Sequence, residues 1–517
     1  MSSSPHTNTR THTVAGTVAW IGLGLGPILA IVAWFLLPGL RLDEAGTPIG
    51  GLTDAGRMTG AVAVLMACWW LTEAIPLSAT ALLPLVVFPV GGVLSFSAAA
   101  SPYASEVIFL FMGGFILGLA MERCGLHKRV AMLTVLLVGT SPKRLVGGFM
   151  LASAMISMWV SNTATAIMML PIALSVITLV RERHAPPGTP PEARPSPDPN
   201  FESTLMLGVA YAASIGGVAT LIGSPPNAVF KGFVESHFEL AVGFTDWMKV
   251  GLPLVVVYLP LAWFYMTSIS QPVRLKEIPG GKGMIRGELA ALGRMNLGEW
   301  VVLLVFLLTV ALWVFRPALI ELALAHGVPG VRSLNDASIV LFSCLLLFAI
   351  PIKPRERVFA MDWQTATRLP WGTLILFGGG LSLAAAISAN GLDVYIGQFF
   401  TGLAGLPTWL VVLVLVAVVI FASELASNTA IATAILPILA AAAPSMGIDP
   451  FRLLIPATIA ASMAFMLPVG TPPNAIVYAT GHVTMSQMLR AGFGLNMLAV
   501  VAITVATELL GQWVVQK

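Results

Sequence analysis

Two short polar triplets lie inside apolar segments of this chain, and their residue types could hold a charged solute. The first triplet is Ser161-Asn162-Thr163 and the second is Ser427-Asn428-Thr429. Each is followed downstream by a double-proline turn, Gly223-Ser224-Pro225-Pro226-Asn227 or Gly470-Thr471-Pro472-Pro473-Asn474. Polar groups and helix-breaking prolines are costly in lipid, so they usually mark backbone that lines a solute site.

The chemistry expected at the triplets is anion binding by neutral groups. Each triplet should end one half-helix and start another, so that free N–H groups with a dipole equivalent to ~+0.5 charge point at it. Hydroxyl and amide donors add to these groups, and the combination binds a carboxylate without Arg or Lys. Two such tips would hold two carboxylates of one molecule. At the double-proline turns, freed carbonyls with Ser and Asn oxygens make a hard-cation site suited to sodium.

The composition places these features in a membrane protein. The chain has 517 residues, 57% of them hydrophobic and 10% charged, and its mean hydropathy is +0.89. Soluble proteins carry ~25% charged residues. We therefore expect an all-α polytopic protein of the cell (inner) membrane, in contact with the lipid bilayer and not with nucleic acid. Sodium is the only metal ion expected, as coupling ion, and no organic cofactor is expected.

Apolar runs of ~20 residues predict about eleven transmembrane helices and two re-entrant helical hairpins. The spans are 14–37, 59–75, 77–94, 104–121, 204–222, 248–269, 299–315, 337–352, 371–389, 452–468 and 491–513. The hairpins cover 143–180 and 407–443; each could also span as one long helix, but the triplet interrupts it and favours a hairpin. Lys and Arg gather in loops on one side, which predicts a cytoplasmic N-terminus and an outside C-terminus.

The chain also contains an internal repeat. The separation between the two triplets, called here the triplet offset, also aligns Gly113-Gly114 with Gly379-Gly380 and Ser157 with Ser423. The two double-proline turns are separated by a shorter distance along the chain, called here the turn offset. Five crossings separate the hairpins, and an odd number places them on opposite faces of the membrane. We therefore expect inverted repeats around a midplane site, an architecture that supports alternating access.

The triplets and turns resemble those of the divalent anion/sodium symporter family, which includes bacterial dicarboxylate transporters. The resemblance covers nearly the whole chain and rests on residues 158–165, the second triplet and both turns. It implies a homodimer in which a transport domain moves like an elevator against a scaffold domain. One departure is Ile431, which stands where the first repeat has Thr165.

The resemblance also implies the ligand contacts. One sodium is expected near Ser157, Ser161, Asn162 and Gly223, and a second near Ser423, Ala426, Asn428 and Gly470. The substrate-binding residues are predicted to be Ser161, Asn162, Thr163, Ser427, Asn428, Thr429, Thr471 and Pro472.

The predicted domain order alternates scaffold and transport segments. Residues 1–103 form the first scaffold set, and 104–240 form the first transport-domain repeat, with a hairpin at 143–180 and a broken helix at 204–238. Residues 241–369 form the second scaffold set with cytoplasmic loops. The second transport-domain repeat is 370–490, with a hairpin at 407–443 and a broken helix at 452–480, and 491–517 form the final span.

Glu424 lies in an apolar run three residues before the second triplet, and its repeat partner is the uncharged Met158. We interpret Glu424 as a hydrogen-bonded brace for the hairpin tip rather than a proton or cation carrier.

Together these features predict a secondary active transporter, not an enzyme, that imports C4-dicarboxylates such as succinate, malate or fumarate with sodium. A sodium-independent dicarboxylate exchanger of the same family stays open, because the cation site is mostly backbone. Citrate or sulfate as substrate also stays open. An intramembrane enzyme with Ser161 or Ser427 as nucleophile would need a base, and no His or Lys lies near either triplet in sequence. No charged ring or filter repeat indicates a channel.

Overall fold

The computed structural model describes residues 10–42, 48–186, 189–190, 194–278, 280–403 and 405–510, which are mostly helical. In chain order the α-helices are α1 (Arg10–Leu36), α2 (Asp54–Thr72), α3 (Leu77–Thr80), α4 (Leu83–Val90), α5 (Phe96–Ala100), α6 (Glu106–Cys124), α7 (Leu126–Val138), α8 (Pro142–Ser157), α9 (Asn162–His184), α10 (Pro199–Gly217), α11 (Pro225–Phe238), α12 (Phe244–Phe264), α13 (Gly281–Ala291), α14 (Leu297–Ala325), α15 (Asp336–Ala349), α16 (Trp363–Ala366), α17 (Trp371–Ala389), α18 (Leu392–Gly397), α19 (Thr408–Ser423), α20 (Asn428–Ser445), α21 (Phe451–Ala461), α22 (Pro472–Tyr478) and α23 (Met485–Leu510).

Short elements of other kinds join these helices. A π-helical segment, Tyr265–Ser270, continues α12, and 3-10 turns cover Ser101–Ala104, Val331–Ser333, Pro354–Glu356 and Gln398–Leu403. Two antiparallel two-stranded sheets pair β1 (Arg41–Leu42) with β2 (Pro48–Gly50) and β3 (Pro351–Lys353) with β4 (Val358–Phe359). The mostly helical class predicted from the composition is confirmed, with these two small sheets as additions.

Eight helical stretches in the described ranges are long and apolar enough to cross a membrane. They are Thr17–Leu36, Phe96–Cys124, Asn162–His184, Phe244–Ser270, Leu297–Ala325, Trp371–Ala389, Asn428–Ser445 and Met485–Leu509. The expected span 77–94 is instead divided into α3 and α4. Pro84 lies in the first turn of α4, where the N–H group that it lacks would have no helical partner.

The helix boundaries recur at the two offsets read from the sequence. At the triplet offset, α19 begins and ends in register with α8, and α20 begins in register with α9. At the turn offset, α22 begins in register with α11. Gly125 and Gly391, which are also related by the triplet offset, both follow a helix with positive φ, at 80° and 68°. This left-handed conformation favours glycine, so the two repeats end corresponding helices in the same way.

The two repeats pack by exchanging helices. α11 of the first repeat packs against α20 and α21 of the second, and α22 of the second repeat packs against α9 and α10 of the first. Within each repeat, α8 and α9 both pack on α10, and α19 and α20 both pack on α21. The packing therefore brings the double-proline turn of each repeat beside the helix that follows the other repeat's triplet.

Candidate functional site

Both triplets interrupt a helix, as the sequence predicts. α8 and α19 each end before a triplet, and α9 and α20 each begin at its Asn. Ser161 caps α9 with φ −56° and ψ 145°, and its Oγ accepts a hydrogen bond from the Ala164 N–H at 3.3 Å. Ser427 holds the same position before α20, with φ −57° and ψ 128°. The free N–H groups at the start of α9 and α20 therefore lie at the triplets, where they can bind an anion.

Oxygen atoms converge around the side-chain amide of Asn162. One head atom of the amide lies 2.7 Å from Ser157 Oγ, 3.0 Å from the Ala213 carbonyl oxygen and 3.2 Å from the Gly223 carbonyl oxygen. Gly217 permits this approach, because a methyl group there would lie 2.4 Å from the amide. Carbonyl, hydroxyl and amide oxygens are the ligands of a hard cation, so this residue set fits sodium. Three of the four residues predicted for the first sodium, Ser157, Asn162 and Gly223, are thus neighbours.

The first double-proline turn is closed by side-chain hydrogen bonds. Asn227 Nδ2 donates to the carbonyls of Gly217, at 3.0 Å, and Thr220, at 2.8 Å. The Thr220 hydroxyl donates to the Met158 carbonyl at the end of α8. The end of α8 and the break after α10 are therefore held together, which fixes the oxygen cluster beside them.

The second repeat contains three buried oxygen atoms that make no hydrogen bond within the described part of the chain. They are Ser423 Oγ, Asn428 Oδ1 and Thr471 Oγ1. A buried acceptor without a donor is costly, so such atoms indicate a place for a cation or a bound donor. Ser423 and Asn428 are the predicted counterparts of Ser157 and Asn162, and Thr471 was predicted to contact substrate.

Glu424 braces the second break, as its position in the sequence suggested. Its side chain is 3% exposed, and its Oε1 accepts hydrogen bonds from the N–H groups of Phe465 at 2.6 Å and Met466 at 2.8 Å. Oε1 also accepts from Asn496 Nδ2 at 2.8 Å, and Oε2 accepts from the Leu467 N–H at 3.0 Å. The carboxylate is the partner of backbone groups that the helix break leaves free.

The two broken helices meet at a direct contact between the repeats. Ser224 Oγ lies 2.8 Å from Ser462 Oγ, and both residues are buried. Ser224 ends the break before α11, and Ser462 begins the break after α21. The breaks therefore lie side by side in one region.

The remaining predicted site residues lie at the same helix ends. Pro472 is the first residue of α22, Ala426 and Thr429 are buried, and Ser427 and Thr163 are half-buried. A methyl group on Gly470 would lie 2.9 Å from Glu424 Oε2, which places Gly470 beside the brace. Among the described residues, no Lys or Arg side chain donates a hydrogen bond to either triplet.

Sequence reasoning missed several contributors to the site. The Ala213 carbonyl belongs to an apolar helix, and backbone groups of this kind leave no mark in a sequence. Ser462 and Asn496 are polar residues in apolar segments, which was an available signal. The repeat did not support Ser462, because the turn offset aligns it with Ile215 in the first repeat.

Comparison with known proteins extends these observations. A sequence profile of the sodium:sulfate symporter transmembrane region matches residues 46–516. The sodium-dependent dicarboxylate transporter SdcS of Staphylococcus saprophyticus is 42% identical over 95% of this chain and 91% of its own length. SdcS of Staphylococcus aureus strain USA300 is 41% identical over 93% of this chain and 89% of its own length.

Two solved structures share the fold. The YdaH transporter of Alcanivorax borkumensis matches with a TM-score of 0.56 at 14% identity, over 96% of this chain and 98% of that chain. MtrF of Neisseria gonorrhoeae, from a class of antimetabolite efflux pumps, matches with a TM-score of 0.55 at 15% identity, over 97% of this chain and 95% of that chain. At such identities the likeness concerns the fold alone.

Proposed function

Because the chain belongs to the sodium:sulfate symporter family, we propose that it is a secondary active transporter that imports C4-dicarboxylates with sodium. The resemblance expected from the triplets and turns is confirmed by the profile match. Relatives named as sodium-dependent dicarboxylate transporters, 41–42% identical over most of the chain, support both the solute and the ion. Succinate, malate and fumarate are the proposed substrates.

The observation that carries the proposal is the oxygen cluster at Asn162, which lies at the end of a helix that presents N–H groups to an anion. Cation and anion positions thus share one residue. The proposed sodium ligands are Ser157, Ser161, Asn162 and Gly223 for one ion, and Ser423, Ala426, Asn428 and Gly470 for the other. Sodium neutralises the carbonyl and hydroxyl oxygens, and the charge it brings favours the approach of a dicarboxylate.

The substrate carboxylates bind at the two triplets, with Thr471 and Pro472 completing the site. The starts of α9 and α20 supply backbone donors, and the Asn and Thr side chains add amide and hydroxyl donors. The contact between Ser224 and Ser462 supports convergence of the two repeats. A ligand with two carboxylates matches two tips of the same chemistry.

The movement that we propose is an elevator. α8 and α9 form one re-entrant hairpin, and α19 and α20 form the other, entering from the opposite face. The packing of α8 and α9 on the same helix supports the hairpin, because 19-residue α10 is too short to lie along two half-helices joined end to end. The repeats 104–240 and 370–490 move against the scaffold in a homodimer, with the N-terminus cytoplasmic and the C-terminus outside.

Uptake into proteoliposomes tests the function. Purified protein is reconstituted, and radiolabelled succinate uptake is measured with sodium outside, inside or absent, and with choline as the replacement cation. We expect concentrative uptake only with an inward sodium gradient. Malate, fumarate, citrate and sulfate compete in parallel, and C4-dicarboxylates should compete best.

Two outcomes would change the assignment. Sodium-independent uptake that requires a dicarboxylate inside the vesicles would indicate the exchanger instead of the symporter. Competition by citrate or sulfate in preference to succinate would keep the symport and change the substrate.

A further inference from the structure

We propose that the Asn162 side-chain amide turns over when sodium binds, so that the cation decides whether a donor or an acceptor faces the substrate. The inference deepens the proposed function and rests on its sodium coupling. It makes Asn162 a positioning residue for coupling as well as a ligand.

The geometry at the inner side of the amide admits either head atom, each with a different requirement. With the nitrogen inward, its protons can reach the carbonyl oxygens of Ala213, at 3.0 Å, and Gly223, at 3.2 Å, with Ser157 Oγ at 2.7 Å. With the oxygen inward, Ser157 donates to it at 2.7 Å, and the two carbonyls face it without any proton between them. The second arrangement is a cluster of oxygens that a cation stabilises, whereas the first is satisfied without one.

The outer head atom of the same amide faces the tip of the hairpin. Asn162 is half-buried at the start of α9, and within the described part of the chain this atom makes no hydrogen bond. The two head atoms of an amide are opposite in kind, since one donates and the other only accepts. The orientation chosen on the inner side therefore fixes the character of the outer side.

The consequence for transport follows from charge. With nitrogen inward, the outer atom is an oxygen, which repels a substrate carboxylate at the same tip. Sodium draws the oxygen inward and turns the NH2 group outward, where it donates to the carboxylate. Because coupling is reciprocal, a bound dicarboxylate equally holds the oxygen toward sodium. Couplings of this kind change affinity by ~5–150-fold, so each ligand should strengthen the other to about that extent.

The second repeat provides an internal comparison. Asn428 Oδ1 is buried there without a hydrogen-bond partner within the described ranges, in contrast to the three close neighbours of the Asn162 head atom. Asn428 has no alternative in which an inward NH2 is recorded as satisfied by carbonyl oxygens. We therefore assign the amide switch to the first repeat only.

Nitrogen-15 NMR of the side-chain amides tests the switch without transport. The full-length protein is labelled with asparagine enriched in that isotope, reconstituted in lipid bilayers, and titrated with sodium against choline in the absence of substrate. The Asn162 signal is identified by its loss in Asn162→Asp and in Asn162→Ala. We expect this signal to move with sodium, because its protons exchange two carbonyl acceptors for the open tip, while the Asn428 signal moves less.

Two variants keep the test independent of folding losses. Ser157→Ala removes one neighbour of the inward oxygen, so the sodium concentration at half the NMR change should rise by about tenfold, the effect of one lost hydrogen bond. Ser153→Ala, one turn earlier on α8, is buried and lies outside the cluster, and it should leave that concentration unchanged.

The outcomes separate the switch from the proposed function. An Asn162 signal that stays fixed while sodium raises the melting temperature to saturation would overturn the amide switch and leave sodium coupling intact. Absence of any sodium effect on the melting temperature, together with sodium-independent uptake, would overturn the coupling itself and the switch with it.

Discussion

Asn227 and Asn474 make the same pair of hydrogen bonds in the two repeats. Each side-chain nitrogen donates to the carbonyls ten and seven residues before it, at 2.8–3.2 Å. Both side chains are fully buried. The four carbonyls lie at helix breaks, where no helical N–H group is available to them. The Asn of each double-proline turn is therefore the residue that closes the break and keeps it in one shape.

Replacement of either Asn by Ala should weaken the fold at its own break. Each change leaves two buried carbonyls without a donor, and a buried unsatisfied group costs about 1–3 kcal/mol. We expect Asn227→Ala and Asn474→Ala each to lower the melting temperature in detergent and to reduce succinate uptake. Asn390→Ala is the control, because Asn390 donates one bond, to Ala386, at the end of α17. Equal melting temperatures for all three variants would contradict the role of the turns.

Asn162→Ala and Asn428→Ala should each abolish uptake while folding and membrane insertion are retained. Each change removes a proposed ligand of both sodium and substrate at the start of a helix. Uptake of radiolabelled succinate is measured in proteoliposomes, and folding is followed by size-exclusion profile and melting temperature. Normal transport by either variant would remove that triplet from the site.

Thr163→Ala should mainly raise the half-saturating concentration of succinate. A hydroxyl that donates to a carboxylate contributes about 1.5 kcal/mol, which corresponds to roughly a tenfold change. The maximal rate should change little, because the backbone donors at the start of α9 remain. Thr401→Ala is the control, since Thr401 is exposed and bonds only to the Gln398 carbonyl. An unchanged half-saturating concentration would remove Thr163 from the contacts.

The helix breaks were predictable because polar and proline residues within apolar sequence have few structural explanations. The triplets placed the ends of α8 and α19 correctly, and the repeat offsets placed their partners. Glu424 was also interpreted correctly, since a lone carboxylate in an apolar run needs several donors, and the structure supplies four. In each case a costly residue type pointed to a specific compensation.

The rest depended on three-dimensional packing. Ala213 contributes a backbone carbonyl, and nothing in its side chain distinguishes it from neighbouring alanines. The expected span 77–94 became two short helices, and α14 continues to Ala325, well beyond the predicted end at 315. Hydropathy measures whether a segment can enter lipid, and it does not report where a helix bends or how far it continues into water.

Glu424→Gln should destabilise the second break without removing a bulky group. The carboxylate accepts four hydrogen bonds, three of them from consecutive backbone N–H groups, and a glutamine places an NH2 group against some of these donors. The lost charge-assisted bonds cost about 2 kcal/mol, and the melting temperature should fall accordingly. Glu356→Gln is the control, because Glu356 forms an exposed ion pair with Lys353. A melting temperature equal to that of the control would exclude a bracing role.

Lys231 holds together a charged network at the end of α11 that no sequence feature had singled out. The side chain is 2% exposed, and its Nζ donates to the Val242 carbonyl at 2.9 Å. It forms an ion pair with Glu235 and lies 3.8 Å from Glu106 Oε1. Lys231→Met should cost about 3–5 kcal/mol, because both carboxylates lose their cation in a poorly hydrated place.

The double variant Lys231→Met with Glu235→Gln distinguishes a charge effect from lost packing. Removal of the cation together with one carboxylate leaves less uncompensated charge, so the double variant should melt at a higher temperature than Lys231→Met alone. Lys353→Met is the matched control, since its pair with Glu356 is more than 60% exposed on both sides and contributes ~0–1 kcal/mol. If the double variant melts no higher than the single one, the stabilisation comes from packing of the Lys231 side chain and not from its charge.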